Sequence, residues 1–246
     1  MRVIWGTRTR GGSQFLLKLT VALLGRETQP QSRLNAARRE AVAAERTPSL
    51  SDYVRMRRAM DYFRYHQIAA VKLEEPGMDH WGRRLAAAFP KAPWLGNHRP
   101  IEKIIRSHYN LSWGFPEQKL LERTRATLDF YEDLAAQGRL FVLAIDRPEI
   151  FDLSAFAAFI GAPITPEARA IAADWPPVND LADLRASAGD PLQEVEEPPQ
   201  LDTLHERYPW VADMEARFDA LCEGRKPGGG VLAQARALDR PGGDPT

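Results

Sequence analysis

Arg2-Val-Ile-Trp5, then Gly6-Thr-Arg-Thr-Arg-Gly11-Gly12-Ser13, then Gln14-Phe-Leu-Leu-Lys-Leu-Thr-Val-Ala-Leu-Leu24 closed by Gly25, is the stretch that decides the fold. The first piece is a short β-prone run, the second a glycine-bearing loop, and the third has helical length with Gly25 as its C-terminal stop. Strand, glycine loop and helix together form the opening unit of a parallel sheet with crossover helices.

The alternation continues outward from there. Ile68 to Leu73 reads as a buried strand, Asp79 to Phe89 as a helix, Trp94 to His98 as a short strand and Ile101 to Leu111 as the helix after it. Glu117 to Gln137 is a long amphipathic helix, and Arg139-Leu-Phe-Val-Leu-Ala-Ile145 is the clearest strand in the chain. Asp152 is placed to cap a helix ending at Gly161, and Thr165-Pro166 opens another with proline in its first turn. Two further helices are expected over Arg33 to Arg46 and Ser51 to Tyr65, the second carrying Tyr53, Met56, Met60 and Phe63 at helical spacing. The predicted fold class is therefore α/β, with a mainly parallel central sheet flanked by helices on both faces and a P-loop-like strand-loop-helix at the N-terminus. One domain is expected over residues 1–223. Prolines accumulate between Asp174 and Gln200, so 174–200 is predicted to be an irregular excursion. A last helix is expected from Trp210 to Cys222, and the Gly- and Pro-rich residues 224–246 read as a flexible tail.

Composition narrows the function classes. The 246 residues are 44% hydrophobic and 27% charged, with 33 Lys+Arg against 33 Asp+Glu and a formal net charge of zero. Nothing in that balance points to nucleic acid or an anionic membrane surface. The apolar run Phe15 to Leu24 is interrupted by Lys18 and Thr20 and is too short to span a bilayer; no small-x-small cleavage site follows Gly25, so it reads as structure rather than as an address. The single cysteine, Cys222, excludes an internal disulfide and a Cys-based zinc cage, fits a reducing, cytoplasmic setting, and reads as a core thiol. His66, His108 and His205 have no partner at ligand spacing, so no metal is expected.

Two segments carry candidate chemistry. Gly6 to Ser13 has phosphate-loop spacing, except that Gly12 stands where a nucleotide triphosphatase places lysine. The loop amides and the following helix N-terminus form an anion nest, whereas the group that would reach the β- and γ-phosphates of ATP is missing. Arg8 and Arg10 are expected to supply guanidinium groups there, with Ser13 and Gln14 as donors in the first turn. The second segment is Asn97 to Tyr109, in which Arg99 ends a strand and Ser107 lies about two turns into the next helix, near the sheet edge where open α/β proteins bind ligands. A glycine turn with no ligand, and a solvated helix face, are the competing readings.

Thr9-Arg10-Gly11-Gly12-Ser13-Gln14-Phe15-Leu16 resembles the bacterial sulfotransferase loop Pro-Arg-Ser-Gly-Thr-Ser-Phe-Leu, which holds the 5′-phosphosulfate of the donor PAPS. Arg99 and Ser107 match, in spacing and order, the Arg and Ser that hold the 3′-phosphate in that family. Arg139 to Pro148 followed by Phe151 to Gly161 looks like the strand and helix that come next in many members, so the resemblance covers Arg2 to Pro163. Thr9 and Gly11 replace the usual Pro and Ser, and Pro100 directly follows Arg99, one place earlier than in the common Arg-x-Pro form. The resemblance implies a PAPS-dependent sulfotransferase that releases PAP and needs no metal, with Arg10, Gly11, Gly12, Ser13, Gln14, Arg99 and Ser107 as donor ligands. Aligned with the animal Lys-Thr-His-Leu-Pro segment, Lys72 takes the lysine position, Glu74 the catalytic histidine position and Pro76 the proline position. Glu74 is then the candidate general base, ahead of His80 and Asp79, with Arg10 at the transferring sulfonate and Lys72 either stabilising it or simply pairing with an acid; the competing reading makes Glu74 and Glu75 exposed loop carboxylates and His80 part of an amphipathic helix. Trp81, Trp94, Trp113, Phe115 and Trp175 are divided between core packing and an apolar acceptor pocket. The acceptor, whether small molecule, glycan or peptide, is not legible. Two alternatives stay open: a P-loop kinase-type phosphotransferase, against which Gly12 and the lack of a clear metal-binding acidic strand end count and to which Asp146 lends support, and a non-catalytic ligand- or partner-binding member of the fold.

Overall fold

The computed structural model describes residues 3–8, 11–25, 28–29, 50–65, 70–77, 80–109, 116–175 and 203–224. In chain order the strands are β1 (Val3–Thr7), β2 (Thr28–Gln29), β3 (Ala70–Glu74), β4 (Trp94–His98) and β5 (Leu140–Ala144). The helices among the described residues are α1 (Ser13–Leu24), α2 (Leu50–Tyr65), α3 (His80–Ala88), α4 (Ile101–Tyr109), α5 (Glu117–Ala136), α6 (Leu153–Ile160), α7 (Pro166–Ala173), α8 (Leu204–Arg207) and α9 (Trp210–Glu223), with a single 3₁₀ turn at Pro148–Ile150. The sheet order is β2-β3-β1-β4-β5 and every pairing is parallel. The expected α/β architecture is the one observed.

Alternation along the strands separates two cores. Val3, Trp5, Ala70, Leu95, Phe141 and Leu143 point to the face covered by α1, α6 and α7. Ile4, Val71, Leu73, Trp94, Val142 and Ala144 point to the face covered by α2, α3, α4, α5 and α9. Strands buried on both faces need continuous apolar runs, and Leu140 to Ala144 is such a run. Asp152 caps α6 by accepting from the amides of Ser154 and Ala155, an arrangement that contributes about 1 kcal/mol. Gly161 ends the same helix and Thr165 caps α7, as the sequence suggested.

Two differences from the sequence reading concern strands. The two-residue edge strand Thr28–Gln29 has no pattern of its own and exists through its ladder with Ala70 and Val71. β3 runs to Glu74 rather than stopping at Leu73, because its ladder with β1 pairs Trp5 with Lys72 and Thr7 with Glu74. The readings made for 33–46, most of 174–200 and the tail after Gly224 fall outside the described residues.

Candidate functional site

The site candidates sit at the carboxyl edge of the sheet, where β1, β3, β4 and β5 all end. Beyond Thr7 the chain turns: the Gly11 amide donates to the Arg8 carbonyl at 3.3 Å, and Gly12 (φ 87°) leads into α1. A Cβ on Gly12 would stand 2.7 Å from Ile145 Cγ1, so that position excludes a side chain on both backbone and steric grounds. Asn97, at the end of β4, holds the base of the loop: its Oδ1 accepts from the Arg8 amide at 2.7 Å and its Nδ2 donates to the Arg8 carbonyl at 3.2 Å. Ser13 and Gln14 form the first turn of α1, where amides have no intrahelical acceptor and no acidic side chain competes. Arg10 and Asp79 lie outside the described residues.

Arg8 corrects an expectation. Instead of reaching toward a ligand, its guanidinium is buried, 1% exposed, on the α5 and α9 side of the sheet. It lies 4.4 Å over the Phe218 ring, donates to Thr124 Oγ1 at 3.2 Å and sits 3.1 Å from His98 Nδ1. The cause is strand alternation: residues 4, 6 and 8 face α5, and an aromatic ring with two polar partners makes burial of the charge tolerable. Desolvation lowers the Arg8 pKa, and the nearby Glu75 carboxylate opposes that. His98 stacks on the same ring at 4.6 Å and is held neutral, its pKa pushed well below 6.5 by burial first and then by Arg8 and Arg147.

On the opposite face the ladder brings Lys72 and Glu74 together. Lys72 is buried in β3 and its Nζ lies 2.8 Å from Glu74 Oε1, while the Glu74 side chain is 36% exposed at the strand end. Glu74 is thus the last residue of a strand with a buried cationic partner, not a free loop carboxylate. Glu75 follows with φ 46°, a left-handed conformation that costs energy in a residue with a side chain. It is fastened there by its amide donating to the Thr7 carbonyl at 2.7 Å and by the Thr127 hydroxyl donating to its carboxylate at 3.3 Å.

The second cluster follows β4 and β5. Arg99 Nε and Lys103 Nζ each lie 3.3 Å from Asp146 Oδ2, and Asp146 is largely buried. Lys103 and Ser107 are four residues apart in α4 and share one helix face; Ser107 is half-buried and lies six residues, about 9 Å of helix, beyond Ile101. Lys103 was not singled out from sequence, although its spacing from Arg99 and Ser107 would have exposed it.

The aromatic candidates divide. Trp81 and Trp94 are core residues, whereas Trp175 packs on Phe15 at 4.5 Å and on Phe151 at 5.0 Å and donates to the Ile145 carbonyl. Trp113 and Phe115 lie outside the described residues, and His80 begins α3. Cys222 is in the core, where burial pushes its thiol up to about 12. Among the described residues no group of three or more His, Cys, Asp or Glu is disposed to hold a metal ion, and no helix is long and apolar enough to cross a membrane.

A scan of protein-family models and a search of curated proteins return no match to this chain. The class that fold and site define is a parallel α/β protein with polar and charged groups gathered at the carboxyl edge of its sheet.

Proposed function

We propose that this protein is a sulfotransferase that moves a sulfonate group from PAPS to a hydroxyl or amine of an acceptor. The observation that carries the reading is the β1–β3 register, which gathers Lys72 and Glu74 on the same face and at the same edge as the Gly11–Gln14 turn into α1. A donor nest and a proton acceptor side by side are what in-line group transfer needs. Gly12 favours sulfonate over phosphoryl transfer, since a lysine there would collide with Ile145. Arg99 and Lys103 supply cations for a second anionic group of the donor.

In this reading the acceptor oxygen attacks sulfur, the bond from sulfur to the bridging phosphate oxygen breaks, and PAP departs with that electron pair. The acceptor proton passes to the Glu74 carboxylate, and Lys72 offsets charge growing on the leaving oxygen. Gln14 and Ser13 orient the group through first-turn donors.

Calorimetric titration of PAP, with ATP and Mg²⁺ as control, tests the donor assignment. Micromolar PAP binding with ATP ignored supports it, and absence of PAP binding overturns it. Binding of ATP in its place promotes the phosphotransferase. Donor binding without transfer to any hydroxyl or amine in an acceptor panel identifies a non-catalytic member.

A further inference from the structure

The Thr7 hydroxyl is buried at 1% exposure, and its oxygen has no hydrogen-bond partner among the described residues. Such an atom is uncommon, because a buried hydroxyl without a partner is a standing cost that a valine would avoid. Its position gives the cost a meaning. Residues 3, 5 and 7 of β1 share the face covered by α1, and the Trp5 indole donates to Thr20 Oγ1 of that helix at 2.9 Å. Thr7 is two strand residues nearer the carboxyl edge, about 6.6 Å, which corresponds to about four helical residues toward the N-terminus of α1. Counted from Thr20, that puts the hydroxyl level with Leu16, the last residue of the first turn Ser13–Leu16 and next to the amides that lack intrahelical acceptors. Its ladder partner on the same face is Glu74, which is paired with Lys72.

We infer that Thr7 is a ligand-binding residue: its hydroxyl donates to an oxygen of a tetrahedral oxyanion, a sulfuryl or phosphoryl group, seated at the N-terminus of α1. The inference rests on the donor-binding reading and adds to it the last residue of β1, which is not among the donor ligands Arg10–Gln14, Arg99 and Ser107. Two groups converge on such an anion, the helix amides from one side and the Thr7 hydroxyl from the floor. The hydroxyl gives the floor a neutral donor, so the local charge balance of Lys72 and Glu74 is left for the transfer step.

The test compares wild type, Thr7→Val and Thr7→Ser. PAP is titrated by calorimetry, and thermal melts are recorded without ligand, with sodium sulfate and with sodium phosphate at matched ionic strength. The expected result is that Thr7→Val binds PAP about tenfold more weakly while melting at or above the wild-type temperature, and that Thr7→Ser stays within about threefold of wild type. A structural hydroxyl would behave the other way, so a lower melting temperature of Thr7→Val with unchanged PAP affinity overturns the assignment. If wild type binds no PAP, the donor reading fails separately and the melts decide. Protection of wild type but not Thr7→Val by sulfate or phosphate upholds the anion site and shows which anion it takes; equal protection of both, or of neither, removes it.

Discussion

The side chain of Asn97 grips the backbone of Arg8 from two directions at once, accepting from its amide at 2.7 Å and donating to its carbonyl at 3.2 Å. An asparagine in this orientation stands in for one more ladder residue between β4 and the chain leaving β1. It also packs against Gly11, where a Cβ would collide with its amide nitrogen. The geometry of the loop is thus set from a residue 89 positions away, and the Asn97 side chain couples the glycine turn to the segment carrying Arg99.

Replacing Asn97 tests that coupling. Asn97→Ala leaves the Arg8 amide unpaired and its carbonyl with the Gly11 amide alone, and Asn97→Asp puts an oxygen where a donor is needed. Both should lower unfolding free energy by about 1–3 kcal/mol in urea titrations. Asn97→Asp should be the worse of the two, because its carboxylate also faces the Arg8 carbonyl oxygen.

His98 should make stability depend on pH. Its folded pKa is depressed by burial first and then by the Arg8 and Arg147 charges, and the Asp219 carboxylate lies 3.8 Å from its Nε2. Below pH 6.5 the unfolded chain binds a proton that folded His98 refuses. The unfolded state then holds more protons, so stability rises with pH in this window. The stabilisation is complete above pH 6.5 and is lost as pH falls toward the folded pKa, by up to about 1.4 kcal/mol per pH unit. Urea unfolding of wild type and His98→Gln at pH 5.5, 6.5 and 7.5 should show that component in the wild type alone, with the slopes left over in the variant assigned to other groups.

Cys222 should be unreactive in the folded protein. A buried thiol with its pKa pushed up to about 12 has almost no thiolate at pH 8. An aromatic disulfide reagent should therefore label it only at the rate of unfolding, and label it quickly in denaturant. Fast labelling under native conditions would mean that the C-terminal end of α9 opens locally.

The fold was legible where one segment carries its own signals: Asp152 and Gly161 bracket α6, Thr165-Pro166 opens α7, and the apolar run 140–144 is β5. It was not legible where an element depends on a distant partner. Thr28–Gln29 is a strand only through Ala70 and Val71, and Arg8 is buried only because Thr124, His98 and Phe218 meet it from three elements. Within the candidate site, Gly11 and Gly12 came from local pattern, whereas Lys72 and Glu74 came from alignment with a family segment. Thr7 did not, since nothing in a Gly-Thr-Arg stretch says which hydroxyl will be enclosed without a partner. Asn97 lies in the Asn97–Tyr109 segment, but its role depends on the β1–β4 pairing that sets it against Arg8.

Asp146 supplies the sharpest test of the second cluster. Its Oδ2 holds Arg99 Nε and Lys103 Nζ at 3.3 Å each, so one carboxylate serves two cations and leaves one positive charge in excess. With Arg99 committed through Nε, its Nη1 and Nη2 edge is the fork that a phosphate would meet. If the proposed donor reading holds, Asp146 competes with the donor's second anionic group for these two cations. Asp146→Asn keeps the shape and removes the competing charge, so PAP affinity should rise by about three- to tenfold in calorimetry, with a steeper loss on adding salt. Arg99→Ala should weaken PAP at least about tenfold, and Lys103→Met by a smaller factor because its ammonium is more exposed. Weaker binding in Asp146→Asn would assign the carboxylate to orienting Arg99 instead of opposing the ligand. Unchanged binding in all three variants would remove this cluster from the donor site.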